Sequence, residues 1–589
     1  MKYLLKYYKK HIPTLLITLV LLFFQAITEL ALPGYMAQLI DNGIIAGNMP
    51  YIYVTGLKMI IIAVILVASS VLVSLFSSRI GAKISKKIRL AVFERVMSFS
   101  NSEIETFGAA SLITRSTNDI QQVQMTTIMI LRMACFAPIM GIGALLMAYR
   151  TSPGLTWTIA LALGAVVCIM IFAFSVTMPK FKIVQKMVDK LNLIMNERLT
   201  GILVIRAFNT EPHEEARFDQ ANHDLTKLNL FVNRTMSFMM PLMMLIMNLS
   251  SVLIVWAGAK AINLGTLQVG DMLAFMQYSM HVIMSFLFIT MIFIMIPRAL
   301  VSANRIGEVL STEPTVVDMA APSNETASST TENTKASAAS TSLPGLVEFK
   351  DVSFRYPDAD ENVINHITFT AYPGQTTALI GSTGSGKSTV INLIPRFYDV
   401  TEGEILLDGI NIKYMPQKNL RDKIGYIPQK GILFSGTIAG NLSYGKEDAT
   451  EKELETASKI AQSLDFIKEK PEGFESPIAQ GGTNVSGGQK QRLSIARALV
   501  KRPDVYIFDD SFSALDFQTD AALRAALKES TGDSTIIIVA QRINTIKNAE
   551  QIVVLDDGEI AGIGTHESLL KTCSVYKEIA LSQLKEEEL

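Results

Sequence analysis

The residues with the clearest chemical meaning form a short glycine-rich stretch between a predicted strand and a predicted helix. An apolar run, 377–380, precedes this stretch, and residues 390–394 read as the first turns of a helix. The stretch consists of Gly381, Ser382, Thr383, Gly384, Ser385, Gly386, Lys387, Ser388 and Thr389. Glycines in this position let consecutive backbone N–H groups surround a phosphate. Lys387 would reach the β- and γ-phosphates of a nucleotide, and the Ser388 hydroxyl would bind Mg²⁺. The pattern therefore predicts a site for ATP or GTP.

A second group with metal-binding chemistry lies well downstream. The apolar run 505–508 reads as a buried strand, and it ends in Asp509. In nucleotide-binding folds with a phosphate loop, a carboxylate at the end of such a strand helps to hold Mg²⁺. We therefore expect Ser388 and Asp509 to share one metal ion.

The composition limits the kind of protein that carries these groups. A chain of 589 residues is too long for one hydrophobic core, so several domains are expected. Apolar residues make up 49% and charged residues 18%, which is typical of a chain lying partly in lipid. The net charge of −1 gives no reason to expect a nucleic acid partner. The three cysteines are far apart and predict neither a metal site nor a disulfide framework.

The first half of the chain contains six apolar stretches long enough to cross a bilayer. They are residues 12–32, 54–76, 125–149, 155–178, 238–261 and 272–296. Lysines and arginines precede the first stretch and fill the long segments after the second and fourth, which places the N-terminus and these segments in the cytoplasm. The short connections 42–52, 150–154 and 262–270 contain Arg150 as their single basic residue. The first apolar stretch reads as a retained membrane helix rather than a cleaved signal peptide.

These patterns divide the chain into three predicted parts. Residues 1–310 form a membrane domain, and residues 345–589 alternate short strands and helices in the manner of an α/β nucleotide-binding domain. Between them, residues 311–344 are predicted to be a flexible linker because 323–342 are rich in Ser, Thr, Ala and Asn.

Few polar side chains interrupt the apolar stretches. Glu29 and Arg132 are charged, and such groups face a cavity or a partner helix because charge in lipid is costly. Contact with a substrate is one interpretation. The alternative we favour is that each charge pairs with another side chain or extends towards the membrane interface. The methionine-rich run 236–247 suits promiscuous apolar ligands, although packing against lipid is the interpretation we favour.

Residues 485–492, Val-Ser-Gly-Gly-Gln-Lys-Gln-Arg, resemble the signature sequence of ATP-binding cassette (ABC) transporters. With six apolar stretches before it, the whole chain resembles an exporter-type half-transporter. The resemblance implies a six-span helical membrane domain with long cytoplasmic extensions, then an α/β nucleotide-binding domain with a helical subdomain. It also implies that one subunit's signature closes over ATP held by the other. In this chain the signature residues are Ser486, Gly487, Gly488 and Gln489.

The resemblance assigns further roles to individual residues. Tyr356 matches the aromatic residue that stacks on adenine, and Gln429 matches the glutamine that contacts Mg²⁺ and senses the membrane domain. Residues 513–516 match the loop that couples the two ATP sites. Residues 107–119 and 201–211 resemble the two coupling segments that carry motion to the membrane helices.

Two positions depart from the family pattern. Asp510 stands where the family has the glutamate that polarises the attacking water, and Gln541 stands where it has a histidine. One methylene less withdraws the carboxylate by about 1.5 Å, and misplacement of this size can cost about 10²-fold in rate. A glutamine cannot be protonated as an imidazole can. We therefore predict a heterodimer in which this chain resembles the degenerate-site subunit of bacterial multidrug exporters.

This hypothesis implies ATP and Mg²⁺ as cofactors, a second, non-identical half-transporter as partner, and amphipathic drugs or lipids as substrate at the cell membrane. A homodimeric exporter, or one dedicated to a lipid or peptide, is the main alternative. A non-transporting regulator would not need coupling segments. An importer is a weaker option because direction is carried by the resemblance alone.

Overall fold

The computed structural model describes residues 2–318, 343–357 and 359–584. The chain divides into two compact units. One comprises Met1–Met97 with Ala110–Thr312, and the other comprises Ser98–Ala109 with Glu313–Leu589. Of the predicted linker 311–344, residues 319–342 lie outside the described residues.

The first half of the chain is helical. Its helices are α1 (Lys2–Lys9), α2 (Ile12–Leu39), α3 (Met49–Met97), α4 (Asn101–Phe107), α5 (Ala109–Thr114), α6 (Ile120–Met129), α7 (Phe136–Thr151), α8 (Thr156–Thr200), α9 (Ile202–Ala207), α10 (Glu211–Asn263) and α11 (Val269–Ser311). Three π-helical turns occur at Ile40–Ile45, Arg115–Asp119 and Ile130–Ala134, the last two of which join α5 to α6 and α6 to α7.

Among the described residues, six helical stretches are long and apolar enough to cross a membrane. They are Ile12–Ile45, Met49–Met97, Ala109–Thr151, Pro153–Thr200, Glu211–Asn263 and Val269–Ser311, and each contains one of the predicted apolar stretches. At 49 residues α3 is about 73 Å long, whereas the hydrocarbon core of a bilayer is about 30 Å thick. The predicted six-span domain with long helical extensions is confirmed.

Small side chains let the membrane helices approach closely. Helix α2 packs along α3, α8 along α10, and α7 along α11. Ala26, Ala137, Ala144 and Ala148 are completely buried. Association of helices in lipid depends on such close packing, because lipid tails are as apolar as leucine.

The second unit is an α/β domain. Its strands are β1 (Val347–Phe354), β2 (Ile364–Ala371), β3 (Thr376–Gly381), β4 (Glu402–Leu407), β5 (Ile410–Asn411), β6 (Ile424–Ile427), β7 (Gly436–Thr437), β8 (Pro477–Ile478), β9 (Val505–Asp509), β10 (Thr535–Val539), β11 (Gln551–Asp556) and β12 (Glu559–Gly564). Its helices after α11 are α12 (Lys387–Leu393), α13 (Gln417–Asp422), α14 (Ile438–Ser443), α15 (Glu451–Ile460), α16 (Leu464–Lys468), α17 (Gly487–Lys501), α18 (Phe517–Ser530), α19 (Ile543–Ile546), α20 (His566–Thr572) and α21 (Ser574–Leu581).

The strands of the described residues form a large sheet in the order β12-β11-β3-β10-β9-β6, and all of its pairs except β11–β12 are parallel. A smaller antiparallel sheet has the order β2-β1-β4-β5. Strands β9 and β10 are buried along their whole length, as continuous apolar runs require. Parallel strands end at the same edge, so the loops after β3, β6, β9 and β10 meet there.

The segment after α11 is anchored within the second unit. Arg396 is completely buried, and its guanidinium donates to the Val317 carbonyl oxygen at 3.0 Å and to both Asp399 carboxylate oxygens. The Gln417 N–H donates to Asp318 Oδ1 at 3.0 Å. Residues 316–318 are therefore held by the α/β domain directly.

Candidate nucleotide site

The glycine-rich stretch forms the loop between β3 and α12. Gly384 and Gly386 have φ values of +88° and +89°, a region that side chains with a Cβ rarely adopt. The Lys387 ammonium group donates to the Gly381 carbonyl at 3.0 Å, the Ser382 carbonyl at 2.5 Å and Ser385 Oγ at 3.2 Å. Burial lowers the pKa of Lys387, and the Asp510 carboxylate partly opposes this shift. A cation folded over a loop of this shape fits a phosphate group.

Oxygen ligands suited to Mg²⁺ lie next to the loop. Ser388 Oγ donates to Asp509 Oδ1 at 3.3 Å, and the Tyr426 hydroxyl donates to Asp509 Oδ2 at 3.4 Å and to Asn392 Oδ1 at 3.0 Å. Burial raises the pKa of Asp509, and the hydrogen bonds from Ser388 and Tyr426 oppose this. A buried carboxylate beside a hydroxyl fits the hard oxygen ligands that Mg²⁺ prefers.

The two positions that depart from the family pattern contact each other. Asp510 Oδ2 accepts hydrogen bonds from Gln541 Nε2 at 2.9 Å and from Gln429 Nε2 at 3.1 Å. Asp509 pairs with Val539 in the β9–β10 register, so Asp510 and Gln541 follow adjacent strand ends. Gln429 thus contacts Asp510, while its predicted role as a Mg²⁺ ligand stays a prediction.

The Asp510 backbone is held in an unusual conformation. Its φ is +44°, a left-handed value that aspartate tolerates better than most residues. Its N–H donates to the Val539 carbonyl at 3.0 Å, and its carbonyl accepts from Ser513 Oγ at 2.8 Å. The residue is 8% exposed. The Asp510 backbone is therefore held by β10 and by the loop that follows β9.

Tyr356 lies beside the helix that follows the phosphate loop. Its hydroxyl is 3.2 Å from Thr389 Oγ1, and its ring meets those of Phe354 and Tyr398 edge-on, with centroids 4.9 and 5.3 Å away. This places an aromatic ring next to the loop, as adenine stacking requires.

The signature residues begin α17 and are available to another molecule. Gln489 N–H donates to Ser486 Oγ at 3.2 Å, and Gln489 Oε1 accepts from the Ser486 N–H at 3.0 Å, which forms a capping box. Ser486 and Gly487 are exposed, and Gly488 is half-buried. The helix N-terminus therefore presents its first N–H groups at the surface.

Sequence reasoning missed the residue that ties this helix to the loop after β6. Gln491 Oε1 accepts from the Gly431 N–H at 3.0 Å, and Gln491 Nε2 donates to the Pro428 carbonyl at 3.1 Å. Pro428 directly precedes Gln429, the residue that donates to Asp510. The Gln491 side-chain amide therefore connects α17 with the backbone next to Gln429. Gln491 lies within the signature stretch, which was the one hint in the sequence that it matters. Its hydrogen bonds to Gly431 and Pro428 cannot be predicted from residue spacing.

Comparison with known proteins decides the family. The family model described as the ABC transporter transmembrane region matches residues 15–286, and that described as ABC transporter matches residues 364–513. An uncharacterised ABC transporter ATP-binding protein of Mycobacterium tuberculosis is 39% identical over 587 residues, which cover 98% of each chain. The chain belongs to the ABC transporter family.

Other similar proteins agree with this ABC assignment. An uncharacterised ABC transporter ATP-binding protein of Bacillus subtilis is 38% identical, covering 97% of this chain and 96% of the relative. An ATP-dependent lipid A-core flippase of Haemophilus influenzae is 29% identical, covering 95% and 92%. The solved structure of a bacterial Atm1-family ABC exporter with ATP bound shares the fold, with a TM-score of 0.76, 24% identity and coverage of 98% and 99%.

The chain is thus an ABC exporter, a multi-pass membrane protein with a cytoplasmic ABC domain. The ABC domain indicates ATPase activity, which implies ATP binding, with Mg²⁺ as the usual metal. The predicted exporter resemblance is confirmed at this level.

In this ABC exporter the two predicted coupling segments have different surroundings. Helix α4 groups with the α/β unit, where Glu105 Oε1 accepts from the Tyr398 hydroxyl at 3.0 Å and Glu103 Oε1 accepts from the Thr315 N–H at 3.2 Å. Burial, with the Glu105 carboxylate, raises the pKa of Tyr398. Residues 110–119 belong to the membrane unit, where Asp119 Oδ1 accepts from Ser302 Oγ at 2.8 Å.

The second predicted segment contains α9 and belongs to the membrane unit. Its apolar side chains face solvent: Leu203 is 78% exposed, Val204 61% and Phe208 74%. Such a patch is costly to leave in water and suits a docking role.

Proposed function

We propose that this ABC exporter moves amphipathic small molecules or lipids out across the cell membrane as one half of a heterodimer. This chain's phosphate loop would bind ATP in a slow or non-hydrolysing site. Its exposed signature, Ser486 to Gln489, would complete the competent site of a non-identical half-transporter. ATP binding would close the two nucleotide-binding domains and turn the cavity outward, and hydrolysis at the partner's site would reset them.

The ATP-binding half of the site supports retained binding. Lys387 supplies the cation, and Ser388 and Asp509 supply oxygen ligands for Mg²⁺. Bound Mg²⁺ neutralises charge on the β- and γ-phosphates. Tyr356 lies next to the loop, at 3.2 Å from Thr389, and would stack on the adenine.

The observation that carries the degenerate-site proposal is the environment of Asp510. A general base must reach the attacking water within about 2.6–3.2 Å. The Asp510 carboxylate is one methylene short, and its Oδ2 already accepts from the amides of Gln429 and Gln541. Neither amide can take up a proton, and Gln541 cannot act as an imidazolium. The residues that bind ATP are complete, whereas those that activate water are replaced.

The substrate class is supported by the relatives and by the membrane unit. The flippase of Haemophilus influenzae is named for a lipid A-core substrate, which favours a lipid or lipid-like molecule. In the methionine-rich run, Met240 and Met244 are exposed and Met243 is buried, so the run presents flexible thioether side chains outward.

The deciding experiment measures ATPase activity of the purified chain alone and with the product of a neighbouring cassette gene. Each sample is repeated with the partner's catalytic glutamate changed to Gln, and with Asp510→Asn in this chain. Activity that needs the partner and vanishes with its glutamate supports the heterodimer. Brisk activity of the chain alone that Asp510→Asn abolishes would overturn it and establish a homodimer with two identical sites.

A further inference from the structure

The membrane unit contains a cavity of about 380 Å³ whose lining includes a cationic side chain, that of Arg132. Its polar lining comes from Gln25 on α2, Ser70 on α3 and Arg132 in the π-helical turn Ile130–Ala134. Apolar side chains, including Phe288 of α11, complete the lining. This volume lies within the range of about 300–1,000 Å³ that small-molecule sites occupy.

Arg132 lies inside the lipid-spanning part of the chain. The apolar stretch 125–149 begins about two turns before it, and Arg150 at the opposite end is about 27 Å further along the helix. The stretch starts in the cytoplasm, so Arg132 lies in the cytoplasmic half of the membrane. Arginines at helix ends extend their charged groups to the membrane–water interface. Arg132 lies within the span instead, where its exposed side chain lines a cavity together with Gln25.

The described residues give the charge of Arg132 no acidic counterpart nearby. Among the described residues, no carboxylate lies within 4.0 Å of its guanidinium. The carboxylate one turn beyond Gln25, that of Glu29, lies 4.0 Å from His281 Nδ1 instead. A charge in a membrane helix is costly and requires an anion or water. A planar guanidinium binds phosphate, sulfate or carboxylate through two parallel hydrogen bonds.

We propose that Arg132 binds the anionic head group of the transported amphiphile. The apolar lining, including Phe136 and Phe288, would contact its tail, and Gln25 and Ser70 would hydrogen-bond the head group. This inference rests on the export function proposed above and narrows its substrate class to amphiphiles carrying a phosphate, sulfate or carboxylate.

The test measures binding of dodecyl phosphate and dodecyltrimethylammonium to the transporter, with its partner, in phosphatidylcholine nanodiscs. Wild type is expected to bind the phosphate more tightly than the cation. Arg132→Gln should weaken phosphate binding about tenfold, or about 1.4 kcal/mol, and leave cation binding unchanged. Arg132→Lys should retain part of the affinity. Arg150→Gln, at the other end of the same span, is the matched control and should bind as wild type does.

Unchanged phosphate binding by a folded Arg132→Gln transporter would overturn the proposal, and melting temperature verifies that the variant is folded. A second arm replaces part of the phosphatidylcholine with phosphatidylglycerol. If phosphatidylglycerol competes with dodecyl phosphate in wild type and this competition disappears in Arg132→Gln, a lipid is supported as the natural occupant. If phosphatidylglycerol does not compete in wild type, a soluble amphiphile is supported. Arg132-dependent binding without ATP-dependent movement into vesicles would leave this site standing and refute the export function.

A separate observation concerns the C-terminal segment. Gln583, shortly after α21, makes two hydrogen bonds to the loop that contains Gln541. Its Oε1 accepts from the Ile543 N–H at 2.9 Å, and its Nε2 donates to the Gln541 carbonyl at 2.7 Å. The Ile543 N–H lies in the first turn of α19, where no helical carbonyl is available to it. We infer that Gln583 is a positioning residue that holds Gln541 against Asp510.

The test follows dissociation of a fluorescent ATP analogue from this chain's site, with the partner's phosphate-loop lysine replaced so that this site alone is filled. Gln583→Ala should accelerate dissociation several-fold, and Gln583→Glu, which loses the donor to the Gln541 carbonyl, should do so less. Ser582→Ala, whose hydroxyl bonds within its own helix end, is the control. A fall in melting temperature with unchanged dissociation would show a purely structural role and overturn the inference.

Discussion

The two halves of the proposed nucleotide site, one for ATP binding and one for catalysis, differ in their contacts, although they share neighbouring strand ends. The Lys387 ammonium group donates to the phosphate loop, and the neighbouring Ser388 hydroxyl donates to Asp509. At the next residue of the chain, the Asp510 carboxylate accepts hydrogen bonds from the amides of two glutamines. The contrast teaches that most of the nucleotide affinity depends on the first set of side chains, whereas water activation depends on the second. One can therefore be altered while the other is kept.

The largest effect is expected from Lys387→Met, which removes the cation of the binding half. ATP affinity at this site should fall about 10²-fold, since a hydrogen bond to a charged group contributes up to about 3 kcal/mol. Titration with a fluorescent ATP analogue measures it. Lys577→Met, an exposed lysine on α21, is the control and should bind normally. Equal affinity in the two variants would contradict the proposed role of Lys387.

The difference between the two halves of the site should disappear when the family's catalytic residues are restored. Asp510→Glu combined with Gln541→His should raise ATP turnover of the chain alone by about 10- to 10²-fold, because the carboxylate regains about 1.5 Å of reach. Steady-state phosphate release measures this, and adding Lys387→Met should abolish the gain. An unchanged rate in the double variant would place the defect elsewhere.

A smaller effect is expected when the Asp510 carboxylate alone is removed. If the proposed heterodimer is right, Asp510→Asn should leave its turnover nearly unchanged, because the working base would then be the partner's glutamate. ATP affinity should also stay nearly intact. Comparison of kcat and KM with wild type tests this. A large loss of kcat would show that Asp510 hydrolyses ATP after all.

The smallest effect is a dependence of ATP affinity on alkaline pH. Burial lowers the pKa of Lys387 from its ordinary 10.5, and the Asp510 carboxylate opposes this. Affinity that needs the ammonium form is complete at neutral pH and is lost as pH rises through the lowered pKa. Asp510→Asn removes the opposing charge, so its loss should begin at a lower pH than in wild type. If wild type and Asp510→Asn lose ATP affinity at the same pH, the Asp510 carboxylate does not influence the pKa of Lys387.

Sequence patterns predicted those parts of the site that are contiguous along the chain. The phosphate loop and Asp509 were predicted because a strand, a glycine loop and a buried strand end each have a local signature. The contact between Asp510 and the amides of Gln429 and Gln541 was not predicted. It depends on β6, β9 and β10 becoming neighbours in the sheet, which spacing does not encode.

Contacts between distant segments were equally out of reach. Tyr398 and Glu105 are 293 residues apart, yet their side chains share a hydrogen bond. The six spans, in contrast, were predicted in full because length and hydropathy alone determine them. Gln583 carried no signal at all, since a glutamine near a C-terminus resembles any solvated residue.

The anchoring of residues 316–318 on Arg396 and Gln417 has a practical consequence for labelling the transporter. Residues 318 and 343 belong to the same unit, so an insertion between them lengthens a connection that starts and ends there. The sequence predicts a flexible linker here, and doubling the length of such a linker costs only about 0.6 kcal/mol of closure entropy. A fluorescent protein inserted between 319 and 342 would therefore leave the path from α11 to Arg396 unaltered and give a reporter for single-molecule work.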